Sequence, residues 1–241
     1  MKFSLVSTIA AAALAASASA AIPVMQITAS GSGGGSGSST PVGTTSATPN
    51  QYNYTGIIYA TSFRASFSLV AQDTSKVDRA VIGGTFTMIN TSASTQSFDV
   101  NISASTVAQG LASLTGGSVS GTLTGDGTAG SFSSVAGQPI WQAYIKNGAN
   151  TTNVNSLLND PYSKAVGANL VASIPGASFG TPIPSMPSVA MGDAVGIRLR
   201  FTLTAGERVD LSTTFVVQSA VPAPGALGLA AIAAGSRRRR R

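Results

Sequence analysis

IRLRFTLTAGERVDLSTTFVV occupies residues 197–217. In its first half Ile197, Leu199, Phe201 and Leu203 alternate with Arg198, Arg200, Thr202 and Thr204. In its second half Val209, Leu211, Thr213, Phe215 and Val217 share one parity. A repeat of two puts successive side chains on opposite faces of an extended chain, so each half reads as a strand with one apolar and one polar face. The short Ala205-Gly206-Glu207 loop between them predicts a hairpin, with the arginines turned to solvent and the phenylalanines to a core.

The same texture extends toward the N-terminus. Tyr52–Ala60, Phe63–Val70, Val81–Asn90 and Gln96–Ile102 read as further strands between turn residues. Phe63, Ala65, Phe67 and Leu69 fall on one face of theirs. Two stretches have helical spacing: Thr106–Leu114, with Val107, Leu111 and Leu114, and Asn153–Leu158, stopped by Pro161. Ile174–Met191 carries Pro175, Pro182, Pro184 and Pro187 and reads as a long surface loop. The expected fold is all-β: a single antiparallel β-sandwich, jelly-roll-like, with one or two short helices, over residues 51–219. Residues 21–50 contain ASGSGGGSGSSTPVGTTSATP and read as a flexible Gly/Ser-rich spacer. No GK[ST] follows these glycines, so they do not form a phosphate-binding loop.

Charged residues are 9% of the 241, against about 25% in an ordinary soluble domain. The net charge of +6 comes from the ends, Lys2 and Arg237 to Arg241. Between them Arg64, Lys76, Arg79, Lys146, Lys164, Arg198, Arg200 and Arg208 balance Asp73, Asp78, Asp99, Asp126, Asp160, Asp193, Glu207 and Asp210. The body is formally neutral and has no basic stripe with stacking aromatics, which argues against a nucleic-acid partner. There is no cysteine and no histidine. Disulfides, a Ser-His-Asp triad, a Cys-His pair and a Cys/His zinc site are therefore excluded, and no cofactor is expected.

The two ends read as addresses. Residues 1–20 combine Lys2, an apolar Leu5–Leu14 run and an Ala18-Ser19-Ala20 cleavage site, which predicts an N-terminal signal helix handled by the Sec machinery and signal peptidase. Residues 220–241 contain Val221-Pro222-Ala223-Pro224, the small apolar residues Gly225–Ser236, and Arg237, Arg238, Arg239, Arg240 and Arg241. The apolar piece is shorter than the roughly 20 residues of a membrane span, and the arginines favour the cytoplasmic side. This tail resembles the bacterial PEP-CTERM sorting signal in a VPAP variant, with Ala223 where the family usually has Glu. The resemblance implies an exosortase-like protease as partner and a transient stay at the inner membrane. It also implies delivery to the cell surface or extracellular matrix, where exopolysaccharide is a possible partner.

Candidate chemistry is sparse. The acids close in sequence, Asp73 with Asp78 and Glu207 with Asp210, sit in or beside expected turns and read as solvated charge rather than a glycosidase pair. Thr124-Gly125-Asp126-Gly127-Thr128 offers one carboxylate, too few for calcium, and reads as a tight turn. Asn53, Asn90, Asn101 and Asn150 begin N-x-[ST] triplets, as a Ser/Thr/Asn-rich surface produces by chance. Trp141 and Tyr144 are the candidate carbohydrate contacts. In a strand over 139–146, however, Trp141 shares its face with Ala143 and Ile145, which favours the core. The expected function is that of an exported surface or matrix structural or interaction protein without catalysis. The alternatives are a carbohydrate-binding or adhesive module and a polysaccharide-active enzyme.

Overall fold

A computed structural model describes residues 22–75 and 78–219. The signal segment 1–20 and the sorting tail 220–241, with Val221, Pro222, Ala223, Pro224 and Arg237–Arg241, lie outside the described residues.

Among the described residues, sixteen strands form two antiparallel sheets packed face to face. The first sheet contains β1 (Met25–Gly31), β2 (Ser36–Ser39), β7 (Gln96–Ser105), β9 (Gly130–Ser134), β10 (Trp141–Asn147), β11 (Asn150–Leu157), β12 (Ser163–Val166) and β15 (Ala194–Leu203). The second contains β3 (Thr44–Thr45), β4 (Gln51–Tyr59), β5 (Phe63–Gln72), β6 (Arg79–Asn90), β8 (Ser113–Thr124), β13 (Val171–Phe179), β14 (Met186–Ser188) and β16 (Arg208–Ser219). The main paths run β11-β10-β15-β7-β1-β2 and β13-β8-β16-β6-β5-β4-β3. The chain changes sheet repeatedly, at β6 to β7, β7 to β8 and β8 to β9 among others. This is the β-sandwich expected from the alternating pattern.

Alternation decides which side chains meet between the sheets. Ile197, Leu199, Phe201 and Leu203 of β15 are fully buried, as are Val209, Leu211, Phe215 and Val217 of β16. An aromatic row crosses the core, from Phe63 to Phe98 (5.7 Å between centroids), to Phe201 (5.6 Å), to Phe132 (5.2 Å). Trp141 packs on Phe179 (5.9 Å) and Phe215 (6.4 Å).

The hairpin expected over 197–217 does not form. β15 pairs with β7, β9 and β10, whereas β16 pairs with β6 and β8 in the opposite sheet. The Thr204–Glu207 connection is an arch over the edge of the core. Gly206 adopts φ 77°, a left-handed conformation that glycine takes without a Cβ clash. Asn90, fully buried at the end of β6, fastens the arch. Its N–H donates to Glu207 O (3.0 Å), its carbonyl accepts from Gly206 N (3.0 Å), and its side-chain amide donates to Leu203 O (2.9 Å).

Three further expectations are corrected. The segment read as spacer is sheet from Met25 onward: β1 lies between β7 and β2, with Met25 and Ile27 completely buried. Three inward apolar residues in a Gly/Ser-rich context suffice, because the neighbouring strand supplies the rest of the core. No helix occurs among the described residues: Asn153–Leu157 belongs to β11, and Ser113 and Leu114 open β8. Cross-strand pairing outweighs the weak helical spacing of these Ser-, Thr- and Asn-rich segments. The proline-rich 174–191 stretch is part sheet, with β13 and β14 lying along β8. Pro175 falls at the register shift between Ile174 and Ala177, where a missing N–H interrupts no ladder.

Candidate functional site: a polar groove on the outer face of the first sheet

The face of the first sheet turned away from the core is built from the polar parity of its strands. The register aligns these residues in rows across the sheet. One row runs Gln142, Arg198, Asn101, Thr28 and Ser38. Beside it lie Tyr144, Gly196, Ser103 and Gln26 on one side, and Arg200, Asp99, Ser30 and Ser36 on the other. Adjacent strands are about 4.8 Å apart, so each row presents closely spaced donors and acceptors. The face encloses an open groove of about 1160 Å³. A smaller recess of about 270 Å³ adjoins it and shares Ser30, Asp99, Gln138 and Arg200.

Gly196 shapes the floor. A Cβ at this position would overlap the Tyr144 ring, so the bare backbone lets the ring lie across β15. Its hydroxyl then donates to Asn101 Oδ1 at 2.8 Å. Burial pushes the Tyr144 phenol up, while Asn101, Ser103 and the Arg198 guanidinium act in the opposite sense. A register shift between Ala143 and Tyr144 against β11 bulges the adjoining strand at this point.

Charged groups reach diagonally between rows. Arg198 grips Asp99 through two guanidinium nitrogens, with Nε 2.9 Å from Oδ1. That contact raises the Arg198 pKa. Arg200 donates to Gln142 Oε1 at 2.8 Å, and its buried Nε has no partner. Burial first, and then the neighbouring Arg198, lower the Arg200 pKa. Lys146 lines the far end of the groove.

The two sequence-predicted sugar contacts separate. Trp141 is fully buried, and its indole N–H donates to Thr213 Oγ1 of the opposite sheet. Only Tyr144 faces the groove, and at 8% exposure it forms floor rather than a stacking platform. A Trp141–Tyr144 sugar platform is therefore ruled out, because neighbours of opposite parity face opposite sides of β10. Sequence reading missed the real lining, although the outward parity of Arg198 and Arg200 was visible.

The acids divide differently from the expected solvated pairs. Asp73 and Glu207 are buried. Asp73 Oδ1 accepts from Ser75 N (2.8 Å) and Ser75 Oγ (2.6 Å), while Asp210 accepts from Arg208 and Thr87. Asp126 Oδ1 accepts from Thr128 N at 2.8 Å, the tight turn the sequence predicts. Among the described residues no three His, Cys, Asp or Glu side chains converge as a metal site. Among the described residues lining the groove, Asp99 is the single carboxylate.

No protein-family model and no characterised protein sequence matches the chain. One solved structure similar to it is the carbohydrate-binding module TmCBM61 in complex with β-1,4-galactotriose. The match has 10% identity and a TM-score of 0.26, and covers 66% of this chain and 90% of that one.

Proposed function

We propose that this protein is a glycan-binding module of the cell surface or extracellular matrix, holding polysaccharide in the groove of the first sheet. The observation that carries the reading is the groove's lining: rows of amide, hydroxyl, carboxylate and guanidinium groups on a rigid sheet. Sugar hydroxyls are both donors and acceptors, and a fixed array of both types selects them by hydrogen bonding. Gln142 and Asn101 lie in one row and are already oriented by Arg200 and Tyr144. Binding is the role assigned, because retaining or inverting glycoside hydrolysis needs two opposed carboxylates. Affinity electrophoresis in gels containing soluble polysaccharides tests it. The wild type is retarded by at least one of them, and Gln142→Ala and Asn101→Ala relieve the retardation. Unretarded migration in every gel contradicts the reading.

Export completes the proposal. The signal segment and VPAP tail would route the chain through the Sec machinery, signal peptidase and an exosortase-like protease at the inner membrane, and then to the surface or matrix. Mass spectrometry of the mature termini tests this. Loss of residues 1–20 and of the arginine cluster supports it, and an intact Arg241 in the membrane fraction favours a permanent anchor.

A further inference from the structure

We infer that the ligand of the groove is an acidic polysaccharide bearing carboxylates, received at Arg200 where the groove meets its adjoining recess. The inference rests on the glycan-binding reading and narrows its substrate class.

Charge distribution comes first. The body of the chain is neutral, with eight basic and eight acidic residues between its ends. Three of those bases, Lys146, Arg198 and Arg200, line this groove, against one acid, Asp99. The groove lining of a neutral body thus carries a net positive charge, while Asp160 and Asp193 at its margins are held on the backbone N–H groups of Gly137 and Gly148. A low-dielectric concave surface focuses such a field.

Pairing sharpens the point. Asp99 is occupied by Arg198 in a two-nitrogen grip. Arg200 is left with a neutral acceptor, Gln142 Oε1, and a buried Nε without a partner. A guanidinium presents a planar fork matched to a carboxylate. Neither of the two salt bridges among the described residues involves Lys146 or Arg200. Lys146 pairs with Ala194 of β15 and lies six residues along that strand from Arg200, about 20 Å at the usual strand rise. A chain lying along β10 and β15 passes both cations.

The aromatics argue the same way. Trp141 is in the core, and Tyr144 is nearly covered. Among the described residues lining the groove there is therefore no exposed ring on which a neutral sugar would stack, and the free binding groups are charged or hydrogen-bonding.

The test uses the full-length chain, with Arg237→Ser through Arg241→Ser in every protein compared so that the tail does not capture polyanions. Binding to polygalacturonate, neutral galactan, dextran sulfate and single-stranded DNA is measured by affinity electrophoresis and calorimetry at low and high salt. Polygalacturonate is expected to bind about tenfold more tightly than galactan, with the preference shrinking as salt rises. Arg200→Gln is expected to abolish that preference, lowering polygalacturonate binding about tenfold and galactan binding far less. Arg200→Lys recovers part of the loss, and Arg208→Gln on the other sheet is silent. Thermal melting of each variant separates loss of binding from loss of fold. Equal binding of galactan and polygalacturonate, with Arg200→Gln silent, overturns the inference and leaves the glycan-binding reading standing. Equal or tighter binding of dextran sulfate or DNA overturns the choice of carboxylate. Failure to bind polygalacturonate overturns the inference, and failure to bind any polysaccharide overturns both readings.

Discussion

At the arch between β15 and β16 the carboxyl of Glu207 is fully buried, and neither of its oxygens has a hydrogen-bond partner. A side chain on residue 130 would overlap it, so Gly130 makes the space it occupies. Burial pushes its pKa up and the Asp126 carboxylate adds to the effect, with the Asp126 backbone N–H acting weakly in the opposite sense. The folded state therefore holds the proton more tightly than the unfolded chain does. The stability from this group is fully present below the ordinary glutamate pKa of about 4.3, and is lost as pH rises through the elevated folded value. Glu207→Gln is accordingly expected to raise the melting temperature at pH 7 by about 2–4 °C, with the gain vanishing near about pH 4. A pH series of thermal melts on the two proteins checks it. Asn90 provides the opposite case. Its side chain bonds Leu203 O, Ser94 O and Ser92, of which the Leu203 carbonyl is buried, so Asn90→Ala strands that carbonyl, at about 1–3 kcal/mol. Urea unfolding should show a lower midpoint with little change in slope. Gly196→Ala is expected to leave the melting temperature within about 2–4 °C of wild type. It should nevertheless weaken glycan retardation, because the added methyl displaces the Tyr144 ring. Loss of the fold with loss of binding would instead place Gly196 in the scaffold.

Among the elements, β1 carries the sharpest consequence. It sits inside the first sheet and buries Met25 and Ile27 completely. A chain beginning at Gln51 is expected to lack cooperative melting, whereas one beginning at Ile22 should retain it. Circular dichroism on the two distinguishes an integral strand from a dispensable leader. Strand identity was legible in the sequence because period-two alternation states which side chains are buried. Strand partners were not. The alternation of 197–217 is compatible with a hairpin or with an arch, and the choice between them lies in distant partners: β15 pairs with β7 and β10, β16 with β6 and β8, and Asn90, more than a hundred residues earlier, fastens the connection. The MQITA alternation of β1 was likewise present in the sequence but masked by its glycine and serine neighbours.

For the whole molecule, the two sheets pack around one core, and the groove lies on the outer face of the first of them. Its floor was legible only in fragments. The sequence placed Arg198 and Arg200 outward, yet bringing them beside Asp99, Gln142 and Tyr144 required β7, β10 and β15 to be neighbours. The aromatic pair that stood out in the sequence split across β10 for the same reason that the strands were recognisable. NMR chemical-shift mapping with short acidic and neutral oligosaccharides tests the central claim most directly. The account predicts shifts concentrated at Gln142, Tyr144, Asn101, Arg198 and Arg200, with the outer face of β16 unchanged. Shifts centred on the second sheet, or none at saturating ligand, would contradict it.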